Sequence, residues 1–365
     1  MKKSLFFLAI SLIILSCEAE KESPVAQQTW FKGNTHTHTT LCGHADTHPD
    51  SVARWYLNRG YHFLILSEHD QFIDPSSVNL PAGRREDFIL IPGEELSDLN
   101  HVHSTAMNID RAIHIHPDEA IKTQAKNDPV LRKNASILQR HVDSTRAAGG
   151  HPILNHPNFQ AGLAAKDIQQ VKHLHLFELY NGHPQVYNWG NEKHASTEEK
   201  WDSILSAGIQ MYGVSSDDAH QFQTWGPEVS NPGRGWVMVE SAELSPDAIT
   251  DAMAQGRFYA SSGVLLKGIQ RSTAVYEIEV DTAATRSATN SEFIMGFKNE
   301  AAKAGFTIEF ITDGGKVIQS VEGISAKMAV PSGVKYLRGK VTFTTLKDAV
   351  PTQFFAWTQP VFLGG

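Results

Sequence analysis

The 365-residue chain contains two cysteines, Cys17 and Cys42, too few for the paired frameworks that hold small secreted domains together. It also lacks a basic surplus. The formal net charge of −8 argues against a nucleic-acid partner, whose phosphates call for a basic patch. Internal repeats and low-complexity tracts are absent, and the one long apolar run is too short to be read as a membrane span. Histidine is missing after His220, although the chain has 18 in all. A ligand-rich segment joined to a ligand-free one predicts two domains with different tasks. With 41% hydrophobic and 20% charged residues, the chain is long enough to bury one large core and a smaller one.

At the start, Lys2-Lys3 precede the apolar run 5–15, the pattern of a signal peptide. The run ends Ile14-Leu15-Ser16-Cys17, which resembles the lipobox of bacterial lipoproteins, with Leu15 bulkier than usual. Residues 1–17 are then a leader, Cys17 carries the lipid, and 18–29 form a flexible tether. An ordinary cleaved signal and a secreted protein is the alternative. Either way Cys42 is left without a partner, a free thiol with a lesser prospect of lying beside metal ions.

What the rest offers is histidine in a pattern. In Asn34-Thr35-His36-Thr37-His38, alternate residues of an extended strand face one way, so His36 and His38 project together, with His44 six residues on. Neutral imidazole is a good ligand for Zn, Mn or Fe; alone, the pair is equally well two polar residues at a strand edge. Helical stretches open at His48-Pro49-Asp50, run through 130–148 and 198–207, and open again at Ser245-Pro246. Between them, apolar strand runs at 63–66, 88–91, 174–179 and 210–214 lead into Ser67-Glu68-His69-Asp70, Gly93-Glu94-Glu95, Tyr180-Asn181 and Ser216-Asp217-Asp218-Ala219-His220, and a further run delivers His156-Pro157. Metal-type residues just past strand ends are how α/β barrels assemble their sites. Seven or eight such units fit within 30–263, which predicts a distorted (β/α)7-type, TIM-like barrel with one polynuclear metal centre at its mouth. Beyond it, 264–365 alternates in short β runs separated by turns such as Asp313-Gly314-Gly315. That predicts a small antiparallel β domain without ligands, packed on the barrel or shaping substrate access or carbohydrate contact.

Over 31–263 these motifs resemble the polymerase and histidinol phosphatase (PHP) metallohydrolases. Thr35-His36-Thr37-His38 with His44 is similar to the family's first motif, Leu66-Ser67-Glu68-His69-Asp70 to its Thr-Asp-His segment, Gly93-Glu94-Glu95 to its Gly-x-Glu, Asn155-His156-Pro157 to its His-Pro, and Asp218-Ala219-His220 to its closing Asp-x-His. Gly235-Trp236-Val237-Met238-Val239, Gln255-Gly256-Arg257-Phe258-Tyr259-Ala260-Ser261 and Ala356-Trp357-Thr358-Gln359-Pro360 resemble an envelope-associated branch related to carbaryl hydrolase, which has a C-terminal β extension.

The resemblance implies up to nine ligands for two or three divalent ions (Zn, Mn or Fe): His36, His38, His44, His69, Glu95, His103, His156, Asp218 and His220. In trinuclear relatives the positions matching His36, His38, Glu95 and Asp218 hold one ion, and the glutamate bridges to a second. His44 departs from the family, many of whose members have Asp near that place, so Asp46 competes with it, and a histidine there favours a third metal. Glu94 competes with Glu95 and Asp217 with Asp218, motif register favouring Glu95 and Asp218, and His101 competes with His103, whose following segment fits the family better. His48, His62, His114, His116, His141, His173, His175, His183 and His194 match nothing and read as surface or supporting residues. Neighbouring ions lower the pKa of a shared water and neutralise charge on a phosphoryl or carbonyl oxygen.

Glu95, Asp218 and His220 are therefore expected at the chemistry, with Asp70 either orienting His69 or serving as a plain helix cap. His220, His103 or a bound water would protonate the leaving group. Arg234 and Arg257 are candidates to hold a phosphate or carboxylate and Asn181 to contact substrate, each with a structural role as the alternative. The expected function is a metal-dependent phosphoesterase of the cell envelope acting on a small phosphomonoester or phosphodiester. Hydrolysis of a carboxyl ester, carbamate or amide is the alternative, and a non-catalytic metal- or glycan-binding lipoprotein a more distant one. The expected partners are the small substrate and the membrane, reached through a lipid on Cys17.

Overall fold

A computed structural model describes residues 29–160 and 162–363; the leader, Cys17 and nearly all of the tether lie outside them. In chain order the first part runs β1 (Thr29–Asn34), α1 (Pro49–Leu57), β2 (Phe63–Leu64), β3 (Ile89–Leu90), β4 (Gly93–Ser97), β5 (His103–Met107), α2 (Glu119–Asn127), α3 (Asn134–Ala147), β6 (His151–Leu154), α4 (Ala165–Ile168), β7 (Leu176–Asn181), α5 (Thr197–Ser206), β8 (Tyr212–Ser216), β9 (Trp236–Ser241), α6 (Pro246–Ala254) and β10 (Phe258–Ser261). The second part is β11 (Leu266–Arg271), β12 (Val275–Val280), α7 (Thr282–Thr289), β13 (Phe297–Lys298), β14 (Gly305–Thr312), β15 (Lys316–Glu322), β16 (Ser325–Ala329), β17 (Tyr336–Lys347), β18 (Val350–Thr358) and β19 (Val361–Phe362). The protein is mixed α/β.

Local sequence explains the elements that frame the site. Pro49 sits at the first position of α1, the His48 ring accepts from the Asp50 N–H at 3.3 Å, and Val52, Ala53, Tyr56 and Leu57 face inward. Ser196 and Glu199 form a capping box that starts α5, which buries Trp201, Ile204 and Leu205. All six residues of β7 are buried, as a strand covered on both faces requires.

Three sheets form, a small antiparallel one of order β11-β12-β16 and two larger ones that stand where a closed barrel is expected from the sequence. One larger sheet has the order β4-β5-β6-β7-β8, antiparallel at its first two pairings and parallel at the last two. The other runs β3-β2-β1-β9-β10-β18-β17-β14-β15. The two larger sheets meet at two isolated parallel bridges, Thr37 to Ala219 and His69 to Glu95. A continuous ladder cannot form at that seam because β2 and β3 are each two residues long and the chain beyond them turns inward to present side chains. The sheet continues through β10 into β18, so the two parts of the chain share backbone hydrogen bonds. They also share a core in which Trp201 and Leu205 of α5 cluster with Tyr336, Phe355 and Trp357.

Candidate metal centre

The seam between the sheets is where the histidines gather. His36 and His38 follow the end of β1, with Thr37 between them held to Ala219 by the bridge, so the extended geometry read from the sequence continues past the strand itself. His44 follows the turn Thr40–Cys42, and His69 follows β2. Glu95 lies within β4, His103 opens β5, and His156 follows β6. Asp218 and His220 follow β8. Two of these residues turn the chain sharply: Asp218 has φ 50° and His156 φ 21°. Left-handed backbone at a non-glycine residue costs on the order of 1 kcal/mol or more, and here it swings each side chain into the cluster.

Glu95 is the hub. Its Oε1 lies 3.3 Å from His36 Nε2, 3.3 Å from His103 Nδ1 and 3.2 Å from His156 Nε2, and its Oε2 lies 3.4 Å from His38 Nε2 and 3.0 Å from His69 Nδ1. Asp218 Oδ1 stands 3.3 Å from both His36 Nε2 and His38 Nε2. On the outer side the His44 ring is stacked on His220 at 4.6 Å and on His69 at 5.2 Å. His36, His38, Glu95, His156 and Asp218 are buried, whereas His44 is exposed.

This donor set fits divalent metal. The ligand atoms of His36, His38 and Asp218 lie within 4.8 Å of one another, as do those of His36, Glu95 and His156, of His38, His69 and Glu95, and of His44, His69 and His220. Tautomers point the same way. His36 Nδ1–H donates to Glu178 Oε1 at 2.8 Å, which turns Nε2 toward the cluster. His36 Nε2 faces carboxylate oxygens 3.3 Å away; burial pushes the ring's pKa down, but Asp218, Glu95 and Glu178 outweigh it and hold it well above its usual value, so a proton on Nε2 stands where a divalent cation would replace it. Ligands at ~2.1 Å from one tetrahedral ion stand ~3.4 Å apart. His220 Nδ1 donates to the Asp218 carbonyl at 3.0 Å, and its Nε2 is buried without a partner. His38 Nδ1 and His156 Nδ1 are likewise buried without a hydrogen-bond partner. Burial pushes the acidity of Glu95 and Asp218 toward the neutral form, yet the surrounding imidazoles, His36 foremost, hold both carboxyls well below the usual range. Burial pushes His220 down to about 4, which leaves its ring neutral and able to ligate near pH 7.

The residues set against these take other partners. Glu94 points away from the hub and accepts from the Ile113 N–H at 2.5 Å, and Asp46 accepts from the N–H groups of Phe222 and Gln223. Asp217 is enclosed by the N–H groups of Gly233, Arg234 and Gly235 and by the Tyr56 hydroxyl, at 2.7–2.9 Å. His101 is exposed.

Several expected roles require correction. Asp70 does not orient His69. Its carboxylate accepts from the Ser97 N–H at 2.9 Å, while His69 Nδ1 meets Ser97 Oγ at 2.7 Å. Arg257 is remote, because it precedes β10 at the end away from the site and its guanidinium binds Gln255. Arg234 is buried, and its guanidinium donates to the carbonyls of Gly182 and Gly226 and to Asn231 Oδ1. Asn181 is fully buried and donates to Glu178 Oε2 at 2.8 Å and Asp218 Oδ2 at 3.2 Å, so it positions acids at the centre.

Three contributors escaped sequence reasoning. Glu178 supports His36, the His156 N–H at 2.7 Å, and the Ser216 hydroxyl; its signal was an acid inside the wholly apolar run Leu176-Phe177-Glu178-Leu179. Glu68 is buried with Oε2 4.0 Å from His38 Nδ1, and burial pushes its carboxyl up to about 6. His183, set aside as unmatched, lines the same ≈ 240 Å³ cavity as His44, His69, His103 and His220.

No protein-family model matches the chain, and no curated protein is similar enough to count as a relative. Among solved structures it is similar to a two-domain protein from Bacteroides vulgatus containing a predicted PHP-like metal-dependent phosphoesterase. The two are 13% identical, the match covers 90% of this chain and 95% of that one, and the TM-score is 0.44. It is also similar to an amidohydrolase from Chromobacterium violaceum with bound sulfate and no metal, at 14% identity, 55% and 93% coverage and a TM-score of 0.35. At these scores the functional case rests on the site itself.

Proposed function

We propose that this chain is a metal-dependent phosphoesterase of the PHP type, with two or three divalent ions held by the nine residues named above. The observation that carries the proposal is the Glu95 carboxylate, one oxygen facing His36, His103 and His156 and the other facing His38 and His69. A mononuclear structural site needs no such two-sided carboxylate. When bound, the ions supply Lewis-acid neutralisation of a phosphoryl group and an acidified water.

The protein's own residues do the rest. Asn155 Nδ2 donates to Glu95 Oε1 at 2.8 Å and Glu178 fixes the tautomer of His36, so the donors are set before any ligand arrives. Phe159 gives the cavity an apolar wall beside His103 and His156, which restricts water at the reacting group. His183 Nδ1 accepts from the Gln185 N–H at 3.2 Å, leaving the ring proton on Nε2. We assign to that N–H a hydrogen bond that holds the departing oxygen as its negative charge develops. As further parts of the same proposal, the protein belongs to the branch related to carbaryl hydrolase and acts at the bacterial envelope, lipid-anchored through Cys17.

Elemental analysis of protein purified without chelator, beside turnover of p-nitrophenyl phosphate, its bis ester and p-nitrophenyl acetate, tests this. Two or three metals per chain are expected, with phosphate ester turned over fastest and Glu95→Gln losing metal and at least about 100-fold in rate. Absence of metal, with a flat panel after Zn, Mn and Fe are added back, would overturn it. A preference for the acetate would replace phosphoester by carboxyl ester.

A further inference from the structure

Beside the metal cavity lies a second cleft of ≈ 440 Å³, within the size range of small-ligand sites. The two share His183 as a common wall. One side of the cleft is the loop after β7, and the other is the segment 295–298 with Phe355 of β18, so both parts of the chain build it.

Its composition is selective. Trp189 packs on Phe297 at 4.7 Å and Phe355 at 5.0 Å between ring centroids, yet Trp189 stays 37% exposed, Phe297 37% and Tyr187 52%. Aromatic faces left open beside a cavity bind rings, by stacking or by contact with apolar C–H faces. The charged residues of the lining are Arg234 and Lys298, and no Asp or Glu lines it, in a chain whose net charge is −8. Arg234 is buried, makes no ion pair with a carboxylate among the described residues, and keeps Nε without a partner.

The cleft is also preorganised. Asn181 and Asn188 bond reciprocally, the Asn181 N–H to Asn188 Oδ1 at 3.1 Å and Asn188 Nδ2 to the Asn181 carbonyl at 2.7 Å. Asn158 Nδ2 donates to the Tyr187 carbonyl at 2.9 Å. A loop already fixed in place avoids an ordering cost on binding. The same Asn181 side chain reaches Asp218 and Glu178, so one residue ties the cleft wall to the metal donors.

We propose that this cleft is the subsite for the organic part of the substrate, and that its ligand is a six-membered ring carrying an anionic substituent, the ring against Trp189 and the anion toward Arg234 and Lys298. The proposal rests on the phosphoester reading for what the neighbouring cavity does, but the cleft can be tested alone. Calorimetric titration of the full chain with benzoate, glucuronate, phenol and acetate separates ring from charge. Benzoate or glucuronate should bind at least about tenfold tighter than acetate or phenol, and the tighter of the two identifies the ring as aromatic or sugar. Trp189→Ala should weaken that binding at least about tenfold and the exposed Lys298→Glu about fivefold. Trp225→Ala, a half-exposed tryptophan packed on Trp55 and Phe293, should leave it unchanged. Ring anions that bind no tighter than acetate, or binding indifferent to both Trp189→Ala and Lys298→Glu, would overturn the subsite even if p-nitrophenyl phosphate is hydrolysed. Ring-anion binding lost in Trp189→Ala would uphold it even if no phosphoester is turned over, and the phosphoesterase reading would then fall by itself.

Discussion

Glu94 and Glu95 are neighbours on one strand, and the pleat gives them opposite lives. Successive side chains face opposite ways, so Glu95 enters the histidine cluster and Glu94 turns to the Ile113 N–H, where burial pushes its carboxyl up to about 7. Since Glu94 then carries its proton in about half of the molecules near neutrality, Glu94→Gln should keep metal content and alter unfolding free energy by less than about 1 kcal/mol, in contrast with the metal lost from Glu95→Gln. Asp217 and Asp218 divide likewise. Asp217→Asn should retain metal yet lose about 2–4 kcal/mol in urea denaturation, because an amide puts a donor among three backbone N–H groups and a hydroxyl. His183→Ala should slow alkyl phosphates by about 100-fold and p-nitrophenyl phosphate, whose leaving group carries little charge on its oxygen, by much less; equal loss on both would remove His183 from contact with the departing oxygen. Motif register carries enough to choose between such neighbours. It says nothing of depth: Arg234 is buried in the wall of the neighbouring cleft and does not line the metal cavity, and His183 sits in no motif, reaching the cavity only through the turn that the Asn181–Asn188 bonds fold.

At the level of elements, closeness between strands is set by the smallest residues. Gly93 opens β4, and a Cβ there would stand 2.8 Å from the Ala106 carbonyl on β5 and 2.7 Å from Ile65 Cγ2. Gly93→Ala should therefore push β4 off β5, costing about 1–3 kcal/mol and weakening metal retention through displacement of Glu95 two residues on; unchanged metal affinity would show that β4 adjusts independently of the hub. The same crowding explains what could be read beforehand. Buried runs such as that of β7 and the capped helices α1, α5 and α6 announce themselves by apolar face and cap chemistry. Helices α2 and α7 do not, since α2 buries only Ala125 and α7 only Thr285 and Thr289. Nor does sequence show that 63–66 pairs for two residues and then leaves the ladder, which is why two sheets joined by bridges stand where a barrel was expected.

Across the whole molecule, the second part of the chain is fastened to the first by buried charge as well as by the β10–β18 pairing. Arg338 of β17 is 1% exposed and meets Asp202 Oδ2 at 2.7 Å and Glu198 Oε1 at 3.0 Å, both on α5, while Lys340 reaches Glu198 Oε2 at 2.7 Å. Removing one partner of such a group strands the others in a dry place, so Arg338→Ala should cost about 3–5 kcal/mol. The cluster also predicts an acid response. Burial raises the Glu198 pKa, but Lys340 and Arg338 outweigh it and hold the carboxyl down at about 2, against ~4.3 in an unfolded chain. A group depressed on folding contributes stability that is fully present above its unfolded value and is lost as pH falls toward its folded one. Glu198 should therefore stabilise the join above about pH 5 and contribute progressively less between about pH 4 and pH 2, by on the order of 2 kcal/mol after allowance for its partial exposure. Urea midpoints taken across that range on metal-free protein, to separate this effect from protonation of the histidine ligands, should fall more steeply in the wild type than in Glu198→Gln. Parallel curves would mean that Arg338 and Lys340 find other counter-charges, leaving the β10–β18 hydrogen bonds and the core around Trp201 and Trp357 to hold the two parts together.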